Sequence, residues 1–347
     1  MPKGKRKVTT MEELSGAAGV SRPTLSKFFH DPDSVRASIR ERIEGALEVY
    51  DYRPNIFAIN QNRASTKTIG ILVPYLSDPF FAEIVRFIER LCIEAGYWPI
   101  LFSSHGEQQL ENDALATMQS LRPAGALLAP LGRSSDMATL ERFCDEVPTI
   151  LFDSELPVGE AFVGSDNRQS IGMMVDYLCE TGEPPCFLHM PPVNPNARKR
   201  RAAYVAAMER LGLAPQVVDL KRRGWDFEQI GLDEGKRLLC ERALPSSTVL
   251  CSNDRLAVGF IAAAYETGHR VGRGHGHALR IAGHDDHPSA RFTSPALTTV
   301  AQDYSGIATR SVERLFGLFT PDEGRAENGD LPKQTLLPGT LVPRESA

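Results

Sequence analysis

The sequence predicts a small all-α head with a helix-turn-helix plan, followed by a larger α/β module whose sheets are largely parallel. About the first 50 residues carry helix caps and a glycine turn, followed by a stretch in which apolar residues recur three and four positions apart, as in an amphipathic helix. From Thr68 onward, short apolar runs of strand length alternate with helical patterns, which indicates parallel sheets. Residues 68–347 are enough for two lobes, and we expect two.

Three helices account for the head. Thr10 can cap a helix over about residues 11–17, and Gly19 has the backbone freedom for a tight turn. Ser21 can cap a second helix over about residues 22–29. The apolar stripe of a third helix consists of Val35, Ile39, Ile43, Leu47 and Tyr50. Two helices joined by a short glycine-containing turn follow the helix-turn-helix plan.

The body contains a series of apolar runs that we interpret as strands. They are residues 68–74, 99–103, 125–129, 149–152, 162–164, 186–190, 217–220, 248–251, 280–283 and 298–301. Ligands of parallel α/β sheets bind beyond the carboxyl ends of the strands. The candidates that this rule selects are Asp78, Phe80, Asp153, Asn253, Asp254, Asp285 and Asp286.

Charge and composition narrow the class of protein. Residues 1–67 hold 12 Lys and Arg against 8 Asp and Glu, whereas the remaining residues hold 27 against 36. A basic head on an acidic body is typical of nucleic-acid binding, because phosphate contacts need cations, although a solvated basic face would give the same balance. The chain has no apolar run long enough for a membrane span, and its basic N-terminus lacks the apolar stretch of a secretory signal. We therefore expect a cytoplasmic protein with reduced cysteines.

Eight short stretches carry a family resemblance. They are residues 19–27, 52–55, 69–74, 78–83, 252–254, 283–286, 297–300 and 338–346. Together, in this order and over nearly the whole chain, they resemble the lactose-repressor (LacI) family of bacterial transcription regulators. The resemblance implies a two-lobed, periplasmic-binding-protein-like body that senses a small effector. It also implies a homodimer or a tetramer that binds double-stranded operator DNA, most often as a repressor.

The resemblance also implies domain boundaries. The expected parts are a DNA-binding domain over 1–53, a hinge over 54–67 and an effector-binding and dimerisation domain over 68–347. Within that last domain, one lobe is expected to combine 68–166 with 303–330, and the other 167–302 with 331–347.

The resemblance places the DNA-contacting residues on the second helix and in the hinge. They are Ser21, Arg22, Pro23, Thr24, Ser26, Lys27, Asn55, Ala58 and Gln61. Arg22 and Lys27 can donate to guanine, whereas Pro23 has no donor, so Arg22 is expected to carry most of the base reading. Ser21 and Thr24 either position phosphates or only cap the helix. Gln61 stands where the family usually has a leucine that wedges into the minor groove, and Ile59 is the alternative wedge.

The resemblance also defines an effector-binding set. Its members are Asp78, Phe80, Phe81, Asp153, Arg198, Trp225, Asn253, Asp285 and Gln302. Trp225 or Phe227 would supply a flat face for a sugar ring, and Arg200 and Arg201 are expected to be solvated or interface charges. These residue types suit a sugar, a polyol or a sugar acid better than a purine.

Other functions have weaker support in the sequence. Residues 284–287 and the histidines His275 and His277 could suggest a metal, but the first run coincides with the family's paired aspartates, so no metal or cofactor is expected. No nucleophile motif or phosphate loop points to an enzyme. A periplasmic transport receptor would share the body but not the head. The sequence leaves open whether the effector weakens or strengthens DNA binding.

Overall fold

The structure is a computed structural model that describes residues 6–8, 10–30, 32–52, 66–274, 276, 278–319 and 332–347. The chain divides into two compact units, residues 1–66 and 67–347, which we call the head and the body. Within the described ranges, no helix is both long and apolar enough to cross a membrane.

The head contains the three predicted helices, α1 (Met11–Ala18), α2 (Arg22–His30) and α3 (Ala37–Val49). The predicted cap at Thr10 is confirmed, because the Glu13 amide donates to the Thr10 hydroxyl at 3.2 Å. In return, the Thr10 amide donates to the Glu13 carboxylate at 3.1 Å. This reciprocal pair satisfies two backbone groups that a helix start otherwise leaves unbonded.

An arginine from α3 fixes the turn between α1 and α2. Gly19 has the left-handed backbone conformation that the turn requires, with φ of 62°. The Arg42 guanidinium donates to the carbonyls of Ala18 at 3.0 Å and Gly19 at 2.5 Å. Leu14 and Leu25 are fully buried beside this turn. The turn angle is therefore held by a charged hydrogen bond as well as by apolar packing.

The head is not purely helical, which corrects the all-α prediction. A two-residue strand β1 (Arg6–Lys7) pairs in parallel with β2 (Tyr50–Asp51). Two residues are too short to show a strand period, so the sequence pattern could not reveal this pairing.

The first lobe of the body is built on a parallel sheet of six strands in the order β13-β7-β6-β5-β3-β4. These strands are β3 (Thr68–Val73), β4 (Trp98–Ser103), β5 (Gly125–Leu128), β6 (Thr149–Phe152), β7 (Ala161–Ser165) and β13 (Gln334–Leu337). Its helices are α4 (Pro79–Glu94), α5 (Gln108–Ser120), α6 (Met137–Glu146) and α11 (Tyr304–Gly317). The central strands are buried on both faces, as their continuous apolar runs predicted.

The second lobe is a parallel sheet of four strands in the order β11-β10-β8-β9. They are β8 (Cys186–His189), β9 (Val217–Asp219), β10 (Thr248–Cys251) and β11 (Arg280–Ala282). Its helices are α7 (Asn167–Thr181), α8 (Pro195–Arg210), α9 (Phe227–Cys240) and α10 (Asp254–Glu266). The two-lobed α/β prediction is confirmed.

The chain crosses between the lobes three times, and the last crossing corrects the predicted lobe boundary. Strand β12 (Thr299–Ala301) and strand β14 (Thr340–Val342) form an antiparallel pair at the crossings. The predicted boundary places residues 331–347 in the second lobe, but β13 pairs with β7 in the first-lobe sheet. A strand joins whichever sheet has a free edge next to it. The four-residue pattern of β13 does not show which sheet that is.

Two glycines allow α9 and α10 to approach each other closely. A Cβ added at Gly259 would collide with the carbonyl oxygen of Glu228, and one added at Gly231 would collide with that of Leu256. The colliding atoms are backbone, so no side-chain rotation could relieve them. Contact between these two helices therefore requires glycine at the crossing.

We predict that Gly259→Ala destabilises the body. Overpacking at a rigid contact costs about 1–3 kcal/mol, which exceeds the roughly 0.5–1 kcal/mol that alanine gains over glycine inside a helix. Gly172→Ala in α7 is the matched control, because a Cβ there meets nothing within 4 Å. Thermal denaturation should show a lower Tm for Gly259→Ala and an equal or higher Tm for Gly172→Ala. Equal melting of both variants would show that the helices can separate at no cost.

Candidate functional site

Helix α2 presents a polar face to solvent. Arg22, Pro23 and Lys27 are exposed on it, whereas Leu25 and Phe28 anchor its opposite face in the head core. The exposed Arg22 and Lys27 are free to meet a polyanion such as DNA. The α2 residues of the predicted DNA-contacting set therefore lie on one short helix that α1 and the Arg42-braced turn support.

The two hydroxyls at the start of α2 bond to each other. The oxygens of Ser21 and Thr24 lie 2.7 Å apart, and the Thr24 amide donates to the Ser21 hydroxyl at 3.3 Å. This geometry shows a capping role, one of the two alternatives that the sequence left open. The predicted hinge contacts Asn55, Ala58, Ile59 and Gln61 lie outside the residues that the structure describes.

A pocket lies between the two lobes, beyond the carboxyl ends of the strands. Seven predicted residues line it, namely Asp78, Phe80, Phe81, Asp153, Trp225, Asn253 and Asp285. Five further residues complete the lining, namely Met190, Asn194, Asn196, Arg200 and Phe227. Of the seven residues that the strand-end rule selects, five line this pocket, whereas Asp254 and Asp286 do not.

Helix starts position several of these side chains. Asp78 caps α4 by accepting from the Phe80 amide at 3.0 Å. Asn253 caps α10 by accepting from the Leu256 amide at 2.8 Å. Asn194 caps α8 in the same way, and Pro195 stands at the first helical position, where its missing N–H is harmless. The three residues that cap these helices therefore also line the pocket.

The cationic residue of the pocket is Arg200, not Arg198, which corrects two predictions. Arg198 is exposed and is not among the lining residues, whereas Arg200, expected to be solvated, is 5% exposed. The helix period explains the exchange: Asn196 and Arg200 are four residues apart and share the buried face of α8, from which Arg198 points away. The cap at Asn194 and this spacing were the signals in the sequence that could have identified Arg200.

The Arg200 guanidinium donates hydrogen bonds to three neighbouring groups. Its guanidinium donates to Asp285 at 2.9 Å, to Asn167 at 2.9 Å and to the Ser252 carbonyl at 2.7 Å. Burial acts to raise the pKa of Asp285, but Arg200 and the neighbouring histidines His284 and His287 outweigh it and hold that pKa well below the ordinary value. Arg200 and Asp285 therefore form an ionised buried pair.

Gln302 does not line the pocket, which corrects its predicted contact with ligand. Its amide instead donates to the Asp285 carboxylate at 2.5 Å and also bonds Ser165. The Tyr304 hydroxyl donates to the Asp285 backbone carbonyl at 2.5 Å. Gln302 thus orients the carboxylate of Asp285, and Tyr304 holds its backbone.

An ion pair joins the two lobes across the pocket. Arg255 of the second lobe donates to Asp78 of the first at 3.1 Å and lies 2.6 Å from the Glu228 carboxylate. His287 lies 3.7 Å from Asp78 and 3.5 Å from Asp285. Although burial opposes its charge, the three carboxylates Asp285, Asp254 and Asp78 raise the pKa of His287 to about 9. His287 is therefore a cation at neutral pH.

A second contact between the lobes involves Asp153. The side-chain amide of Asn196 donates to the Asp153 carboxylate at 2.7 Å and to its backbone carbonyl at 3.1 Å. Asp153 adopts a left-handed backbone conformation, with φ of 59°. Burial raises the pKa of Asp153 to about 7, although Arg200 lowers it in part. At neutral pH this carboxyl is therefore close to half protonated.

Aromatic side chains close the mouth of the pocket. Trp225 of the second lobe stacks on Tyr75 of the first, with ring centroids 6.0 Å apart and planes 3° apart. Gly106 leaves room for this indole, because a Cβ there would come within 2.5 Å of it. The cavity volume is about 30 Å³, room for little more than a water molecule, so a larger ligand requires the lobes to separate.

The site has the chemistry of a binding pocket for polar compounds. Carboxylates and amides offer hydrogen bonds, and aromatic faces offer stacking, which together suit a molecule rich in hydroxyls. In the part of the chain that the structure describes, no group of three His, Cys, Asp or Glu side chains is arranged to hold a metal ion.

Comparison with known proteins identifies both parts of the chain. Residues 10–55 match the bacterial regulatory proteins of the lacI family, and residues 175–347 match the periplasmic binding protein-like domain. The chain is 29% identical over 315 residues to the ribose operon repressor of Escherichia coli (strain K12), covering 90% of this chain and 94% of that protein. It is also 29% identical over 295 residues to the transcriptional repressor CytR of the same strain, covering 84% of each.

A solved structure has a similar fold over nearly the whole chain. The lac repressor dimer bound to operator and the anti-inducer ONPF superposes with a TM-score of 0.82, at 24% identity, covering 97% of this chain and 98% of that one. The full-length match to repressors and the separate match of the head establish what kind of protein this is. The chain belongs to the lacI family of bacterial regulatory proteins and is a DNA-binding transcription regulator.

Proposed function

We propose that this protein is a cytoplasmic repressor that binds operator DNA as a homodimer and changes its operator affinity when a small polyhydroxylated effector enters the pocket. The observation that carries the proposal is the buried pair of Arg200 and Asp285 at the junction of the lobes. A pocket whose walls belong to two lobes couples ligand binding to their relative position. The transport-receptor alternative does not account for the head.

The head supports direct reading of a base sequence. Arg22 is exposed near the start of α2, and its guanidinium can bond guanine O6 and N7 with two donors. Lys27 is exposed on the same helix, five residues further on. Ser21 and Thr24 are engaged with each other, so they position the helix rather than choose the base. We therefore assign base selection to Arg22, with Lys27 as a second contact.

The pocket favours a neutral sugar or polyol over a sugar acid. Among the described residues, Arg200 is the one cation that lines it, and three of its five N–H donors are already bonded to protein groups. Three lining carboxylates, Asp78, Asp153 and Asp285, would repel an acid group. That one relative is a ribose operon repressor agrees with an effector of the sugar class.

Exposed apolar side chains of the body support self-association. Tyr265 is 86% exposed, Phe292 76% and Trp98 65%. Large apolar side chains at such exposure are candidates for contact with a second chain. A homodimer would also bring two heads to two half-sites of one operator.

We predict that Arg22→Ala relaxes base preference. Loss of a two-donor contact to guanine costs about 1–3 kcal/mol of discrimination at that base pair. Selection from a randomised operator library should show a flatter preference at one position of each half-site. Glu12→Ala, an exposed change on α1, is the control and should keep the wild-type preference. An unchanged preference for Arg22→Ala would remove Arg22 from the readout.

We predict that Arg200→Ala abolishes the effector response, whereas Arg198→Ala does not. Removing Arg200 leaves Asp285 buried without its guanidinium, and loss of a charged buried hydrogen bond costs about 1.5–3 kcal/mol or more. Arg198 is exposed two residues away and serves as the matched control.

The measurement combines thermal-shift screening against neutral sugars and polyols with operator binding in the presence of each hit. A bound effector raises the apparent Tm of the wild type by mass action. Arg198→Ala should retain that shift and the change in operator affinity, and Arg200→Ala should lose both. A response lost in Arg198→Ala but kept in Arg200→Ala would reverse the assignment and return the role to Arg198.

A further inference from the structure

The charges that line the pocket do not balance. Three carboxylates, Asp78, Asp153 and Asp285, face one guanidinium, that of Arg200. Asp285 is paired with Arg200 at 2.9 Å and Asp78 with Arg255 at 3.1 Å. Among the described residues, Asp153 has no ion-pair partner. One buried carboxylate of the pocket lining, that of Asp153, therefore has no cation in contact with it.

Asp153 is held in place despite this. It is 7% exposed, and Asn196 donates to one of its oxygens at 2.7 Å. The nearest cations are engaged elsewhere, Arg200 with Asp285 and Lys199 with Glu155 at 2.7 Å. A left-handed backbone at a residue other than glycine is uncommon and is often retained at functional sites. Among the described groups, the second carboxylate oxygen of Asp153 has no hydrogen-bond donor. The Asp153 side chain is part of the pocket lining.

Aromatic faces line the same cavity as this carboxylate. Trp225, Phe80, Phe81 and Phe227 are all part of it. An ammonium group is attracted both to a carboxylate and to the face of an aromatic ring, and it carries three donors where a hydroxyl carries one. A cavity lined both by aromatic rings and by a carboxylate without an ion-pair partner suits an amine that also bears hydroxyls.

We propose that the effector carries a protonated amino group, as an amino sugar or an amino polyol does, and that Asp153 binds it. This inference rests on the proposed function, since it names the chemical class that enters the same pocket. The hydroxyls of such a compound would meet Asn194 and Asn253, and its amino group would neutralise the remaining negative charge. A neutral sugar would bring no cation to Asp153.

Proton linkage provides an independent signature. Burial, opposed by Arg200 and Lys199 and reinforced by Asp285 and Asp78, raises the pKa of Asp153 to about 7. An ammonium beside Asp153 lowers that pKa, so binding displaces the proton from the carboxyl. The affinity for an amine should accordingly rise by about an order of magnitude between pH 5.5 and pH 7, as the free carboxyl ionises.

The first experiment compares compounds that share one carbon skeleton. Isothermal titration calorimetry on the full-length protein would use glucosamine, glucose and glucuronate, and then the matching galactose set. In at least one set we expect the amine to bind about tenfold or more tightly than the hydroxyl compound, and the acid not to bind. Asp153→Asn should weaken amine binding by about tenfold and leave hydroxyl binding within about threefold.

Asp219→Asn is the matched control, since it also removes one carboxylate, but at a second-lobe side chain that is 62% exposed and away from the pocket lining. It should keep the wild-type preference for the amine. If Asp153→Asn does not fold, measuring proton release by the wild-type protein on amine binding still tests the proposal. Titration near pH 6.5 in two buffers of different ionisation enthalpy should show roughly three-quarters of a proton released per amine bound.

The outcomes separate this inference from the proposed function. If a hydroxyl or acid compound binds as tightly as its amine, or if amine binding releases no proton, the amine assignment is overturned while the effector-controlled repressor stands. If no member of either set binds, the amine assignment is contradicted, and the thermal-shift screen against neutral sugars and polyols decides the proposed function separately. Amine binding that needs Asp153 and releases a proton supports both.

Discussion

Arg200 is the group on which the closed arrangement of the body depends. It holds Asp285, Asn167 and the Ser252 carbonyl of its own lobe, and Asn167 donates in turn to Asn196 at 3.0 Å. Asn196 then donates a hydrogen bond to Asp153 of the other lobe. A buried charge without partners costs several kcal/mol, so each of these groups must stay where its neighbours place it. The pocket is therefore preorganised on the second lobe and completed by the first.

The contacts that cross between the lobes differ in kind from those within each lobe. Contacts that join the lobes include the Asp78–Arg255 ion pair, the hydrogen bonds of Asn196 and the stacking of Trp225 on Tyr75. Each lobe, by contrast, has its own apolar core. Polar contacts can be exchanged for water at small net cost, whereas an apolar core cannot. Separation of the lobes is therefore the soft motion of the body, and a ligand that binds one arrangement better shifts the population toward it.

Sequence pattern predicted the features that depend on local chemistry. Capping at Thr10, the turn at Gly19 and the strand ends that carry Asp78 and Asp153 all follow from neighbouring residues. The errors arose where the result depends on distant partners. Arg198 was chosen from a run of four basic residues, and only the start of α8 decides which of them turns inward. Strand β13 was assigned to the wrong lobe because its partner, β7, lies far away in the sequence.

The same distinction bears on ligand specificity. In a pocket where every polar group is already paired, a ligand gains little from any single contact, and discrimination between similar compounds is weak. Asp78 and Asp285 are paired in this way, and their carboxylates mainly hold the walls in position. Asp153 is the carboxylate that the described groups leave without a cation, so its electrostatic free energy changes most when a ligand arrives. Selectivity is therefore expected to reside at Asp153, where the protein itself supplies the least compensation.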